Sequence, residues 1–291
     1  MQFKLFTFTM EDEVSRPIGA DRIFPLFEKS KGKDSSGEFA RYRGRKDAVL
    51  MYTREYGSDF SGLVGRFSDQ REVSVYNESK DEVYTRTISD NDYPNVPFIC
   101  FPRLKCIVCA NKGSLSANAA VSRLHSIIAH RAQSFLIVSA FTQIVDLRVA
   151  VEKFNIFEVD FELFPVNPHT GDLGKALDES RKLDFIKTIK GKAASPKGNK
   201  MRLNGGFLSA VQELQQSGHA KAGFRATTDD GLEVAVPKQI ERHQMKDVPD
   251  DSSESMDNAD VQIIVNAPQV YPFSQSFVTQ MRTIARRLTE T

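Results

Sequence analysis

Cys106, Cys109, His125 and His130 have the types and spacing of a two-Cys, two-His zinc site: Cys-x2-Cys, then His-x4-His on a stretch with helical periodicity. Such a site would clamp strand to helix. Cys106 and Cys109 are an odd number of positions apart, so on a regular strand they face opposite sides. The run KCIVCA has no Gly or Pro to build a knuckle, and cysteine is a common buried small residue. The expectation is core cysteines and no metal. A second constellation is Glu158, Asp160 and Glu162, on one face of a strand with about 7 Å between successive carboxylates. Paired carboxylates can hold magnesium for phosphodiester hydrolysis. No Lys or His alternates with them, so a solvated sheet face is the simpler reading. GSLSAN, Gly113 to Asn118, precedes a helix and could hold an anion on free N–H groups, but ordinary capping accounts for it. His169, His219 and His243 have no Ser or Cys at a triad spacing. No catalytic residue and no cofactor is expected.

The strongest charge segregation lies at Arg181 to Arg202, RKLDFIKTIKGKAASPKGNKMR, with eight Lys or Arg and one acid, Asp184. Lys187, Lys190, Lys192, Lys197, Lys200 and Arg202 lie where glycines let the backbone adapt. An arm of this kind can follow a phosphate backbone and displace its counterions. Few aromatics are interleaved, so base stacking or base reading is not expected. Arg282, Arg286 and Arg287 on the last helical stretch are the other candidates for nucleic-acid contact.

Formal net charge over the 291 residues is +1, so any attraction to nucleic acid must come from such local patches. Three Cys within ten residues make no disulfide framework and fit a reducing compartment. MQFKLFTFTMEDE lacks the basic start and long apolar core of a signal peptide. The longest apolar run, near Phe135 to Phe141, is too short for a bilayer. A cytoplasmic chain with no membrane insertion is expected.

The elements that would position these groups are read from periodicity. Gln2 to Met10 is an opening strand, and Ala20 to Ser30 a short helix that begins or kinks at Pro25. Phe39 to Arg45 and Asp47 to Tyr56 are strands, Phe60 to Phe67 a bulged strand and Val83 to Ile88 one more. At the centre is a strand, tight turn, strand and helix: PFICF, PRL, KCIVCA, then apolar positions from Ala117 to Ile128 at steps of three and four. Ser134 to Phe141 reads as a buried strand and Gln143 to Phe154 as a helix. Phe157, Val159, Phe161 and Leu163 alternate with the three acids, which specifies a half-buried strand. A turn at Pro165 to Pro168, a helix at Asp172 to Lys187 and an exposed arm at Gly191 to Gly206 follow. Phe207 to Gln216 is a helix stopped by Gly218, and Asp230-Gly231 is a hairpin turn between alternating strands. Asp247 to Asp260, with six acids and no base, is an acidic loop. A last short strand, Val261 to Val265, and a helix capped by Ser274 close the chain. The fold class is α+β, with mixed or mostly antiparallel sheets and packed helices. Two subdomains are expected, 1–133 with the strand–turn–strand–helix unit and 134–291 with the basic arm (181–206), the hairpin and the final helix.

Three stretches carry a family likeness: KDAVLMYTREY, VPFICFPRLKCIVCANKGSLSANAAVSRLHSII and FNIFEVDFELFPVNPHTGDLGKALDESRK. In type and order they resemble a group of bacterial and phage-encoded defence proteins that includes RexA-type phage exclusion proteins. The resemblance implies an intracellular α+β protein, often dimeric, that binds DNA without strong sequence preference and acts in phage exclusion, with a separate effector protein as partner. It brings no catalytic motif, and the long acidic loop departs from the pattern. The expected function is therefore non-sequence-specific DNA binding within a phage-defence or exclusion system, as a homodimer. The alternatives are a metal-dependent nuclease using the acidic strand, or a protein-interaction module whose basic arm meets an acidic partner.

Overall fold

The computed structural model describes residues 1–66, 71–77, 82–88, 94–111, 115–141, 147–164, 188–196, 201, 207–216, 219–229, 231–238, 261–265, 269 and 271–289. The protein is α+β, with a large antiparallel sheet component outweighing the helices. The chain divides into two compact units, Met1–Ser139 with Gln269–Arg282, and Ala140–Pro268 with Thr283–Thr291. The break thus falls near residue 139, where the sequence reading divides the chain after 133, and a late segment returns to the first unit.

The first unit holds β1 (Gln2–Glu11), α1 (Ala20–Lys29), β2 (Ala40–Tyr42), β3 (Arg45–Tyr56), β4 (Asp59–Arg66), β5 (Arg71–Asn77), β6 (Glu82–Ile88), β7 (Asn95–Phe101), β8 (Cys106–Asn111), α2 (Ala117–Ala132) and β9 (Phe135–Ala140). Its sheet runs β1-β8-β7-β4-β3-β2, with β9 also on β1, and β5 pairs β6 as a separate ribbon. β7 and β8 are joined by a 3-10 turn, Pro102–Leu104, that ends on Lys105 in the left-handed conformation. Apart from Asn95 and Asn111 at their ends, both strands are apolar and buried on both faces.

α1 runs through Pro25 instead of starting at it. The proline forfeits one backbone hydrogen bond, but Ile23 and Phe27 are buried, worth roughly 2 kcal/mol each. Phe27 meets Phe60 at 4.9 Å and Phe98 at 5.9 Å between ring centroids, so sheet packing holds the helix across the break. The bulge expected within 60–67 is on the neighbouring strand, where register shifts between Leu50 and Tyr52. The run 134–141 is not a strand buried on both faces: Leu136 is buried, while Phe135 and Ile137 are 42% and 46% exposed.

The second unit begins with α3 (Leu147–Lys153) and β10 (Asn155–Leu163), then β11 (Ile189–Ala194), α4 (Phe207–Gln216), β12 (Ala220–Thr227), β13 (Glu233–Val236) and β14 (Gln262–Ile264). Its strands are ordered β11-β10-β12-β13-β14, and those whose register is described pair antiparallel. Leu163, Leu214 and Ala220 form a core with Phe161 and Ile189 packed on it. The hairpin between β12 and β13 is present, with Gly231 at φ +78° as its turn demands. The final helix, α5 (Gln275–Thr289), is capped by Ser274, whose hydroxyl accepts from the Phe277 N–H at 3.2 Å. Its first part belongs to the first unit and its last turns to the second. No helix among the described residues is long and apolar enough to cross a membrane. The turn at 165–168, the helix at 172–187 and the acidic loop at 247–260 lie outside the described residues.

Candidate nucleic-acid interface

Strand alternation sets the chemistry of one face of the second unit. On β10 the register with β12 shifts between Ile156 and Glu158. Phe157 sits at this bulge, so Ile156 takes the buried place the alternation assigns to Phe157. From Glu158 onward the pattern is regular, with Val159 and Leu163 buried and the three carboxylates on the other side.

β11 overturns one expectation. Residues 189–194 are not part of a free arm: they form an edge strand in register with β10. The sequence Ile-Lys-Gly-Lys-Ala-Ala has a two-residue period, the signal that its glycine and lysine content obscured. Gly191 faces Phe161, and a Cβ there would lie 2.5 Å from the end of the Phe161 ring, so any larger residue would have to push that ring aside. Lys190 and Lys192 consequently project on the carboxylate side.

The neighbouring strands thus bring to the acids the cations that their own strand lacks. Lys190 Nζ lies 3.3 Å from Glu162 and Lys192 Nζ lies 2.9 Å from Glu158. Arg225 on β12 reaches Glu158 at 3.8 Å and donates from Nε to Glu233 at 2.7 Å. Lys238 reaches Asp160 at 3.0 Å. It can do so because Gly223, opposite Asp160, has no Cβ to press on the 236–238 backbone. The acids of this face are therefore ion-paired, not merely solvated. The vertical order of charge matters more than the count. The Lys190 and Lys192 side chains are 65% and 58% exposed, whereas Glu162 and Glu158 are 20% and 15% exposed. At these two pairs the cations form the outer layer, whereas Asp160 is more exposed than its partner Lys238, and pairs with so exposed a cation are worth only about 0–1 kcal/mol each. An incoming phosphate can take the place of a carboxylate at small cost.

Lys187, Lys197, Lys200 and Arg202 lie outside the described residues. The final-helix arginines do not share one environment. Arg282 sits 3.3 Å from Asp59, whose side chain is 4% exposed, and donates to the Ser58 hydroxyl at 3.2 Å. Arg287 donates to the Lys153 carbonyl at 3.2 Å and lies 3.6 Å from Asp229. Arg286 is exposed. Arg282 thus serves a buried carboxylate. Arg282→Met should lower unfolding free energy by about 2–3 kcal/mol, because truncating one partner strands the other charge. The same variant should leave the salt dependence of DNA binding unchanged. A urea titration and a binding isotherm at two salt concentrations check both halves.

The cysteine–histidine spacing does not assemble into one site. Cys106 is opposite Phe101 and Cys109 opposite Phe98 on an unbroken β8, so the two thiols leave opposite faces. His125 Nδ1 pairs with the Leu136 carbonyl at 2.7 Å. Burial pushes the Cys106 thiol up to about 12 and raises those of Cys100 and Cys109 as well. Among the described residues, no group of three or more His, Cys, Asp and Glu is placed to hold a metal ion. At the start of α2 two backbone donors are taken: Ala119 N–H by the Ser116 hydroxyl at 3.2 Å, and Ala117 N–H by Asn111 Oδ1 at 3.1 Å. Capping accounts for GSLSAN there.

No protein-family model matches the chain, and no curated protein does either.

Proposed function

We propose that this chain binds DNA through its backbone, without sequence preference, as a non-enzymatic component of a cytoplasmic phage-exclusion or defence system. The observation that carries the binding is the charge layering on the second unit, with lysines outermost on an edge strand and carboxylates beneath them. In the sequence, Lys197, Lys200 and Arg202 follow that strand and continue the basic stretch. The exclusion role, the homodimer and a separate effector protein rest on the resemblance of the three stretches to RexA-type proteins. The test is incubation with plasmid and with short duplex DNA, with and without magnesium, alongside sedimentation. A salt-sensitive shift without cleavage, from a species of two chain masses, is expected. No shift at low salt would defeat the reading.

One observation favours the nuclease as a second reading. Lys190, Lys192 and Lys238 each come within 3.3 Å of an acid on β10, supplying the lysines that the sequence of that strand lacks. Under this reading plasmid is cut only with magnesium, and Asp160→Ala abolishes cutting while the shift persists.

A further inference from the structure

The sequence around residue 41 reads Ala-Arg-Tyr-Arg-Gly-Arg, a basic residue at every second position. In the first unit this becomes a tight hairpin at the outer edge of the sheet. Tyr42 pairs with Arg45, and only Arg43 and Gly44 lie between β2 and β3. Both have positive φ, +46° and +81°, the signature of a two-residue hairpin turn. Asn, Asp or Gly normally fills the first of those positions, since a longer L side chain in the left-handed region costs about 1–2 kcal/mol. An arginine here retains charge at the ribbon's tip against that preference. Arg41, Arg43 and Arg45 are all exposed, and among the described residues none has an ion-pair partner.

The base of the hairpin is pinned. The Arg123 guanidinium, on α2, lies 4.2 Å from the Tyr42 ring centroid and 3.3 Å from Asp47. Its side chain is 8% exposed, and its Nε has no hydrogen-bond partner among the described residues. Arg43 lies over the same ring at 5.5 Å. Arg43 and Arg66 both act repulsively on Arg123, while Asp47 is the carboxylate that offsets them. Asp47 is thus engaged by Arg123, and the exposed Arg41, Arg43 and Arg45 are left without a carboxylate of their own among the described residues. Three exposed arginines on a tight hairpin, its base held by Arg123, together make a surface suited to anions.

We propose that the β2–β3 hairpin is a second nucleic-acid contact, in which Arg41, Arg43 and Arg45 grip the phosphate backbone. Guanidiniums bind phosphate oxygens bidentately, which suits arginine over lysine here. A two-stranded ribbon also has the width that a major groove of about 12 Å admits. The tip, Arg43-Gly44, offers no apolar side chain to enter lipid. The inference takes its ligand class from the DNA-binding reading but rests on other residues, in the other unit.

The test is the full-length triple variant Arg41→Gln, Arg43→Asn, Arg45→Gln. Asn tolerates the left-handed turn, so the hairpin is kept. Binding of a fluorescein-labelled short duplex, and of one of its strands, is followed by anisotropy across salt. Three lost phosphate contacts should lower the slope of log affinity on log salt by about 2–3 units and weaken binding at least tenfold near 0.1 M salt. The urea midpoint should be unchanged or higher. If the triple variant binds as the parent does while lysine substitutions on β11 abolish binding, the hairpin contact is wrong and the DNA-binding reading stands. If the parent binds neither probe, both fall. If the parent binds only phosphatidylserine vesicles or an acidic peptide, and the variant loses that, the nucleic-acid assignment is overturned.

Discussion

Replacing Lys190, Lys192, Lys197 and Lys200 together by alanine is expected to flatten the salt dependence of DNA binding by about 3–4 units of slope, since each duplex phosphate contact contributes roughly 0.9. Near 0.1 M salt this corresponds to about a thousandfold loss of affinity. The loss should be the same for every duplex sequence, because phosphates carry no sequence information. Folding should survive: Lys190 and Lys192 are more than half exposed, and exposed pairs contribute about 0–1 kcal/mol each. The layering adds a prediction of opposite sign. Glu158→Gln with Glu162→Gln frees both lysines from their carboxylates and should tighten binding several-fold while steepening the slope. A fourfold lysine variant that is folded and binds with parental affinity and slope would remove β11 from the interface. An acid-to-amide pair that leaves affinity unchanged would show that the lysines do not exchange carboxylate for phosphate.

The three thiols should be silent in the native protein and costly at alkaline pH. With the Cys106 thiol pushed up to about 12, roughly one part in ten thousand is ionised at pH 8, against about a tenth for a cysteine at the ordinary value near 9. Alkylation by iodoacetamide should therefore be about three orders of magnitude slower than in urea, where all three react. The same burial ties stability to pH. A thiol raised from an ordinary value near 9 to about 12 contributes stability that is fully present below pH 9 and is lost as pH climbs towards 12. The unfolded chain ionises first, at a cost of about 1.4 kcal/mol per pH unit per thiol. Cys100 and Cys109 shift in the same direction through burial. Urea midpoints measured between pH 8 and 10.5 should fall for the parent, and much less for the variant with all three changed to alanine. Rapid native labelling at neutral pH, or equal slopes for the two proteins, would contradict the buried placement.

Much of the chain is legible wherever one short window carries the whole signal. The β7–turn–β8–α2 order, the acidic alternation of β10, the Asp-Gly hairpin and the Ser274 cap each rest on contacts or periods within a few residues, and each is present. The misreadings have one origin. Pro25 offers a start or a kink, and the start is the part overturned: the helix begins at Ala20, because propensity sees the lost hydrogen bond and misses the Phe27–Phe60–Phe98 packing that holds it. The run 134–141 looks buried on both faces because apolar composition cannot say which face will be covered. Ile189–Ala194 looks like a loop because Gly191 is punctuation in a sequence, whereas in the sheet it is the space taken by Phe161. The Arg-Gly turn passed as ordinary strand because its charge is visible only once both flanks are seen to leave it unpaired.

By itself, then, the sequence determined an α+β chain, its strongest strands and helices, the burial of its cysteines and the presence of a basic segment near 181–202. Those properties depend on side-chain period and composition, which are local. Tertiary structure alone decided which charges meet. Lys190, Lys192, Arg225 and Lys238 reach carboxylates of β10 that are 28 to 78 positions away in the chain, and Arg123 pins a hairpin 76 positions distant. Coulomb interactions between exposed groups act over roughly 10 Å at physiological salt, so they are set by distance in space and not by separation along the chain. Strand order and register supply that distance, and no window of sequence contains them.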